Sequence, residues 1–129
     1  MGRDTAVERA LDRFRGSSRA SPAFGLEPIR AALAALDDPQ DRLPPTIHVT
    51  GTNGKGSTCA FMRSIAEAAG LDVHMYTSPH LIRVNERIRL SGRLVEDEEL
   101  AATLTEIAGR SDDLTYFEAL TAAAFDLFA

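Results

Sequence analysis

The chain has 129 residues, 44% of them hydrophobic and 26% charged, which is enough to bury one modest core, so a single domain is expected. A net charge of −5 argues against a general nucleic-acid binder, which usually carries a basic face, but says nothing against a local basic pocket for a phosphate. The single cysteine, Cys59, excludes an intrachain disulfide framework and suits a reducing cytosol. The opening MGRDTAVERALDRF is charged throughout and has no signal-peptide core, and the hydroxyl at Thr5 stands one place early for a myristoylation signal. No apolar run approaches membrane-spanning length. A cytoplasmic protein with no nucleic-acid partner and no membrane partner is the expectation.

In chain order, Val7, Ala10, Leu11 and Phe14 recur at helical spacing and predict an amphipathic helix over 5–15. Residues 16–22 (GSSRASP) read as a loop. Ile29, Leu33 and Leu36 predict a second helix over 27–36, and the breaker-rich 37–45 (DDPQDRLPP) a connection. The β-rich run 46–50 (TIHVT) reads as a strand. A helix over about 57–69, closed by Gly70, comes after a glycine loop, and 72–77 (DVHMYT) reads as a second buried strand. Strand, loop, helix, strand is a βαβ unit, which implies a parallel sheet and an α/β fold. Residues 78–81 (SPHL) then read as a loop. Residues 83–90 alternate through Val84, Ile88 and Leu90, and Ser91-Gly92 predicts a hairpin turn. A helix over 96–108 has acids in its first turn, where the macrodipole favours them, and Leu100, Leu104, Ile107 and Ala108 on its inner face. The last segment, 115–129, predicts a helix with Phe117, Leu120, Ala124, Phe125 and Phe128 on one stripe.

The stretch 50–58, TGTNGKGST, sits between the first strand and the helix after it. A glycine-rich turn feeding a helix N-terminus aims several backbone N–H groups at one spot, and the helix dipole adds positive potential there, so the place suits a phosphate. Glycines let the backbone approach the oxygens closely. Lys55 reaches the β and γ phosphates as a mobile point charge, and the hydroxyl of Ser57 or Thr58 suits Mg²⁺ or a phosphate oxygen. The general P-loop pattern has Gly where this chain has Val49, and Ser or Thr directly after the lysine, where this chain has Gly56. The competing reading is a plain glycine-rich surface turn.

The variant G-x-x-G-K-G-[ST] resembles the loop of the Mur ligase superfamily, above all of the folylpolyglutamate synthase / dihydrofolate synthase family. Four further stretches resemble the same family in order: FGLEPI at 24–29, YTSPHL at 76–81, RVNERIRLSG at 83–92 and LTYFEALTAAAFDLF at 114–128. The fold this implies is an α/β, P-loop NTPase-like Mur ligase central domain, a parallel sheet with flanking helices, incomplete in this chain. The resemblance implies that residues 1–129 are the N-terminal part of the ATP-binding catalytic domain. It also implies that later family features, among them a C-terminal glutamate-binding domain, are absent, so the fragment alone is expected to be inactive.

The implied chemistry is ATP-dependent. ATP phosphorylates a carboxylate of dihydropteroate, or of the glutamyl tail of a reduced folate, and the amine of L-glutamate displaces phosphate to give an amide. By resemblance, Thr52, Asn53, Gly54, Lys55, Gly56, Ser57 and Thr58 cradle the phosphates, with Lys55 neutralising charge on the transferred group. Ser78 resembles the family's serine ligand to Mg²⁺, with Ser57 as a second hydroxyl. Thr115, Tyr116, Phe117 and Glu118 resemble part of the pterin pocket, and Ser18, Arg19, Ala20 and Ser21 its other lip. The parent enzyme is expected to be a monomer, and the fragment to self-associate through an unfinished sheet edge and exposed phenylalanines.

Each of these residues also has a plainer reading. Ser78 before Pro79 is a turn residue, Glu118 a solvent-facing carboxylate, Tyr116 and Phe117 core aromatics, and Cys59 a small apolar group. His80 reads as polar surface, His48 as structural, and Arg83, Arg87, Arg89 and Arg93 as a solvated face. Three alternatives stay open at this stage: another P-loop phosphotransferase, a Mur-type ligase acting on cell-wall precursors, and a non-enzymatic fragment that associates with itself or a partner.

Overall fold

The computed structural model describes residues 5–15, 25–111 and 113–129. They divide into two units, one formed by Met1–Leu43 with Asp97–Ala129 and the other by Pro44–Glu96.

The first unit is helical. Helix α1 spans Ala6–Arg15 and buries Val7, Ala10, Leu11 and Phe14, the four positions whose spacing predicted it. Its start is fixed by Thr5, whose hydroxyl accepts from the Glu8 amide at 3.1 Å. Helix α2 spans Glu27–Ala35, with a proline in its first turn, where a missing N–H costs nothing. Asp37 and Asp38 turn the chain out of α2 at φ 67° and 49°, a region that aspartate tolerates better than most residues. The orphan carbonyls of α2 find two donors: the Asp38 amide reaches Leu33 at 2.9 Å, and the Arg110 guanidinium reaches Ala35 at 2.7 Å. A 3-10 turn follows at Pro39–Arg42.

Helix α4 spans Asp97–Arg110 and helix α5 spans Tyr116–Phe128. Helix α4 packs on α1 and on α5, and α2 packs on α5. Leu11, Leu100, Leu104, Ile107, Leu114 and Leu120 are fully buried and form the centre of this core. The expected phenylalanine stripe on α5 is corrected. Its core side is Ala119, Leu120, Ala122, Ala123 and Ala124, while Phe125 and Phe128 are half-buried and Phe117 is 52% exposed.

In the second unit, helix α3 spans Lys55–Ala68. It closes with a Schellman motif: Gly70 at φ 86° donates to Glu67 at 2.9 Å and Leu71 donates to Ala66 at 3.1 Å. Strands β1 (Met75–Tyr76), β2 (Ile88–Leu90) and β3 (Arg93–Leu94) form a sheet in the order β1-β2-β3, both pairs antiparallel. Register Leu90↔Arg93 leaves Ser91 and Gly92 as a two-residue turn. Their φ values of 50° and 83° are those a type I′ hairpin needs. A 3-10 turn at Val84–Arg87 precedes β2, and Val84, Ile88, Leu90 and Val95 are buried. The buried Asn85 amide is satisfied by the Val95 carbonyl at 2.8 Å.

The expected parallel pair is not formed among the described residues. The run 46–50 joins no ladder and is exposed apart from half-buried Val49, and 72–77 is strand only at Met75–Tyr76. A βαβ pair needs a sheet to pack within. The segment that does pair takes the nearby hairpin, whose closure is entropically cheaper. The α/β class stands, with helices dominant and an incomplete sheet.

Leu104 has no exposed surface and lies on the helix that packs on two others, so Leu104→Ala should cost about 2–5 kcal/mol in urea denaturation. Leu26→Ala, at a position 59% exposed, should stay within about 0.5 kcal/mol of the parent chain in the same measurement.

Candidate functional site

The glycine loop is the best-defined chemical feature of the second unit. Residues 51–58 are all exposed. Gly51 (φ 145°) and Gly54 (φ 74°) take backbone conformations that side chains resist, and Gly54 stands at the N-cap of α3. No side chain caps this helix start. The first amides of α3, those of Lys55, Gly56 and Ser57, have no acceptor within the helix and face solvent together. The Lys55 ammonium curls back to donate to the Gly51 carbonyl. That contact holds a cation over the loop, one that an anion would draw away.

Gly56 lies within the helix at an ordinary φ, and a Cβ there would meet nothing within 4 Å. Neither strain nor crowding inside the chain calls for glycine at that position. A glycine there leaves room for close approach from outside the chain, as by a phosphate seated on the orphan amides. Ser57 and Thr58 place exposed hydroxyls in the first turn of α3.

Thr77 and Ser78 follow β1, and the Ser78–Pro79 bond is cis. Ser78 is exposed. The loop that carries it is fastened by groups the sequence reading missed. The Glu86 carboxylate accepts from the amides of Leu81 at 2.9 Å, Ile82 at 3.0 Å and Arg83 at 2.7 Å. Arg87 donates from Nε to His80 Nδ1 at 2.8 Å, and the Thr77 amide donates to the Arg87 carbonyl at 2.9 Å. His80 is therefore a structural acceptor, rather than simple polar surface. His74 plays a like part, accepting from the Ser91 amide at 3.0 Å. Of the arginines expected on a solvated face, Arg83 and Arg93 are exposed, but Arg87 and Arg89 are half-buried, and Arg89 donates to Gly92 at 3.2 Å. His48 is exposed and Cys59 half-buried.

Thr115, Tyr116, Phe117 and Glu118 lie in the first unit, at the start of α5. Thr115 and Glu118 form a reciprocal capping box: the Glu118 amide donates to Thr115 Oγ1 at 3.2 Å, and Glu118 Oε1 accepts from the Thr115 amide and hydroxyl, each at 3.0 Å. The Thr-x-x-Glu spacing was the signal for it. Glu118 thus has a structural duty at a position the sequence pointed to for substrate. Tyr116 is half-buried beneath the Arg15 guanidinium, 5.4 Å from its ring centroid, and Phe117 offers an exposed ring. Ser18, Arg19, Ala20 and Ser21 lie outside the described residues. Among the described residues no cluster of three or more His, Cys, Asp or Glu could hold a metal ion.

No protein-family model matches the chain. The dihydrofolate synthase/folylpolyglutamate synthase of Bacillus subtilis is 37% identical over an alignment that covers 97% of this chain and 31% of that protein. The structure of Escherichia coli FolC in complex with DHPP and ADP superposes with a TM-score of 0.85 at 35% identity, over 98% of this chain and 31% of that one. A bifunctional folylpolyglutamate synthase/dihydrofolate synthase with Mn, AMPPNP and L-glutamate bound gives a TM-score of 0.82 at 37% identity, over 96% of this chain and 31% of the other. The chain, with its glycine loop feeding α3, is similar in its α/β fold to these Mur-ligase-like neighbours. Its relatives and structural neighbours are folylpolyglutamate and dihydrofolate synthases, and it spans about a third or less of their length.

Three amide donors hold the Glu86 carboxyl below the usual carboxylate range, the Arg83 amide first among them. A folded pKa below the unfolded one means that the fastening is complete above the ordinary glutamate value of about 4.3 and is lost as pH falls through the lowered value. The amide proton shifts of Leu81, Ile82 and Arg83 should therefore titrate together below about pH 4.3. In Glu86→Gln that titration should vanish, as read by NMR.

Proposed function

We propose that these residues are the N-terminal, phosphate-binding part of an ATP-dependent acid–amino-acid ligase that joins L-glutamate to dihydropteroate or to a reduced folate. The observation that carries the reading is the glycine loop with its uncapped helix start, within a fold whose neighbours are solved with ADP or AMPPNP. The names of the relatives and the DHPP and L-glutamate held by those neighbours support the substrate pair.

On this reading the amides of residues 54–57 and the ammonium of Lys55 receive the phosphates of ATP. A substrate carboxylate oxygen attacks the γ-phosphorus and ADP leaves, giving an acyl phosphate. The glutamate amine then attacks the acyl carbon, phosphate leaves and the nitrogen loses a proton, so the amide bond is formed at the expense of one phosphoanhydride. Little covalent chemistry falls to the protein, whose work is positioning and charge neutralisation. Lys55 exchanges its Gly51 partner for the phosphoryl oxygens. Thr52, Asn53 and Thr58 complete the cradle, and Ser57 and Ser78 offer hard oxygen ligands. A bound Mg²⁺ would offset charge between the β and γ phosphates. Tyr116 and Phe117 supply rings for stacking on a pterin, with Thr115 and Glu118 at the same helix start, and Ser18, Arg19, Ala20 and Ser21 are assigned to the pocket's other lip.

A cell-wall ligase or a plain P-loop phosphotransferase is not favoured, since the relatives are folate enzymes. We assign the whole enzyme to the cytoplasm, as a monomer that binds no nucleic acid. The acidic balance and single cysteine support this, and no described helix is long and apolar enough to cross a membrane.

Isothermal titration of Mg-ATP into the chain should give saturable binding, weakened about tenfold to a hundredfold in Lys55→Ala, as for a hydrogen bond to a charged group. Flat heats from the parent chain and the variant alike would refute the phosphate site. Gly56→Ala separates ligand from fold. Thermal unfolding should show it as stable as the parent or better by up to about 1 kcal/mol, because Ala is the stronger helix former, while Mg-ATP binding falls.

A further inference from the structure

Arg15 closes α1 and Tyr116 opens α5, so the two meet only because those helices pack. The Arg15 guanidinium is held on two sides. Its Nη2 donates to Glu8 Oε2 at 2.7 Å and its Nη1 to Asp12 Oδ1 at 3.0 Å. Both acids stand on α1 itself, about two turns and one turn back. Two nitrogens held by two different carboxylates fix the plane of the group as well as its position. In that setting the guanidinium carbon lies 5.4 Å from the centroid of the Tyr116 ring, within cation–π range.

A cation in the last turn of a helix, with two acids behind it, is ordinary helix chemistry, and exposed pairs of this kind contribute little to stability. That account does not lay the guanidinium on a ring of another helix. Nor does the core depend on the contact, since Leu11 and Leu120 on the same two helices are fully buried by other neighbours. What the contact supplies is a direction for one ring. Consecutive residues on a helix point about 100° apart, so Tyr116 turns toward α1 while Phe117 stays exposed. The backbone beneath them is already set by the box between Thr115 and Glu118. Arg15 removes a freedom the box leaves at this end of α5, that of the Tyr116 side chain.

We propose that Arg15 is a positioning residue of the pterin pocket. Braced on Glu8 and Asp12, it holds one face of the Tyr116 ring and leaves the rest of that half-buried ring preset for a pterin beside Phe117. A ring held before the ligand arrives has less rotamer freedom left to lose on binding. This inference rests on the reading of residues 115–118 as part of a pterin pocket.

The test follows dihydropteroate binding to the chain by titration calorimetry and by NMR of the tyrosine rings. The chain has two tyrosines, so a Tyr76→Phe background leaves the Tyr116 signals alone in the spectrum. Dihydropteroate should move the Tyr116 ring protons upfield, as stacking does. Arg15→Ala should raise the dihydropteroate Kd about threefold to tenfold, the penalty for ordering one side chain on binding. The same variant should leave Mg-ATP binding and Tm unchanged. Arg15→Lys keeps a cation without the fork, and its Kd should fall between the two. Dihydropteroate that shifts the Tyr116 signals but binds Arg15→Ala as tightly as the parent would overturn the proposal and leave the pocket standing. Binding that leaves the Tyr116 signals in place would overturn it as well. A Kd that rises only in step with a falling Tm, with Arg15→Lys no nearer the parent, would assign Arg15 to the fold and also overturn it. If Mg-ATP binds and dihydropteroate does not, the pterin reading falls and takes this proposal with it, while the phosphate site stands.

Discussion

Every helix leaves backbone groups unpaired at its ends, and how those groups are satisfied divides this molecule. Helix α1 starts on the Thr5 hydroxyl and α5 on the Thr115–Glu118 box. Helix α2 starts with a proline and ends on donors from Asp38 and Arg110. Helix α3 ends on a complete Schellman motif and begins on nothing. Gly54 turns the chain into it without offering a side-chain acceptor, and Lys55 spends its charge on the Gly51 carbonyl. A helix start open to water on the surface, with a cation beside it, carries the positive potential that suits an anion. The phosphate reading of Gly56 uses that potential, which the surface-turn reading does not.

The two units differ in what holds them together. The first has a hydrophobic centre of leucines and isoleucine from α1, α4 and α5, filled out by the alanines of α5. The second has a small buried set on its hairpin and beside it, together with directed polar contacts: Glu86 to three amides, Arg87 to His80, His74 to Ser91 and Asn85 to Val95. Directed bonds position a loop more sharply than area burial does, because each has an angle as well as a distance. The loop that carries Ser78 needs that kind of control if its hydroxyl is to serve a cation.

Periodicity in the sequence located the helices closely, because apolar spacing carries the same information as burial. Val7, Ala10, Leu11 and Phe14 on α1, and Leu100, Leu104 and Ile107 on α4, are buried as their spacing implies. The hairpin was legible from Ser91-Gly92, whose conformation is local. The parallel sheet was not, because 46–50 and 72–77 carry strand propensity but a ladder depends on partners that propensity does not name. On α5 the phenylalanines drew the eye, yet the alanines are buried: a stripe of large residues marks apolar surface and does not say which part of it meets a neighbour. The place of the glycine loop was legible because its glycines mark a turn ahead of a helix, and Gly51 and Gly54 take the positive φ that turn needs. The Glu86 fastening could not, since a glutamate three residues after an arginine has no special meaning until the chain between them folds back.

Glu118 shows how structure and site can share a residue. Its Oε1 completes the helix start by accepting from Thr115, so any role toward a ligand is played by a carboxylate whose position is already set. A capping box costs a side chain its freedom before a substrate arrives, and ordering done in advance is not charged again on binding. The same logic separates Glu118 from Lys55, which is held by one carbonyl and must let go to meet a phosphate. If both act in one enzyme, the carboxylate is a fixed element of its pocket and the lysine a moving one. Ground-state order would then lie at α5, and the charge that follows the transferred group would lie at α3.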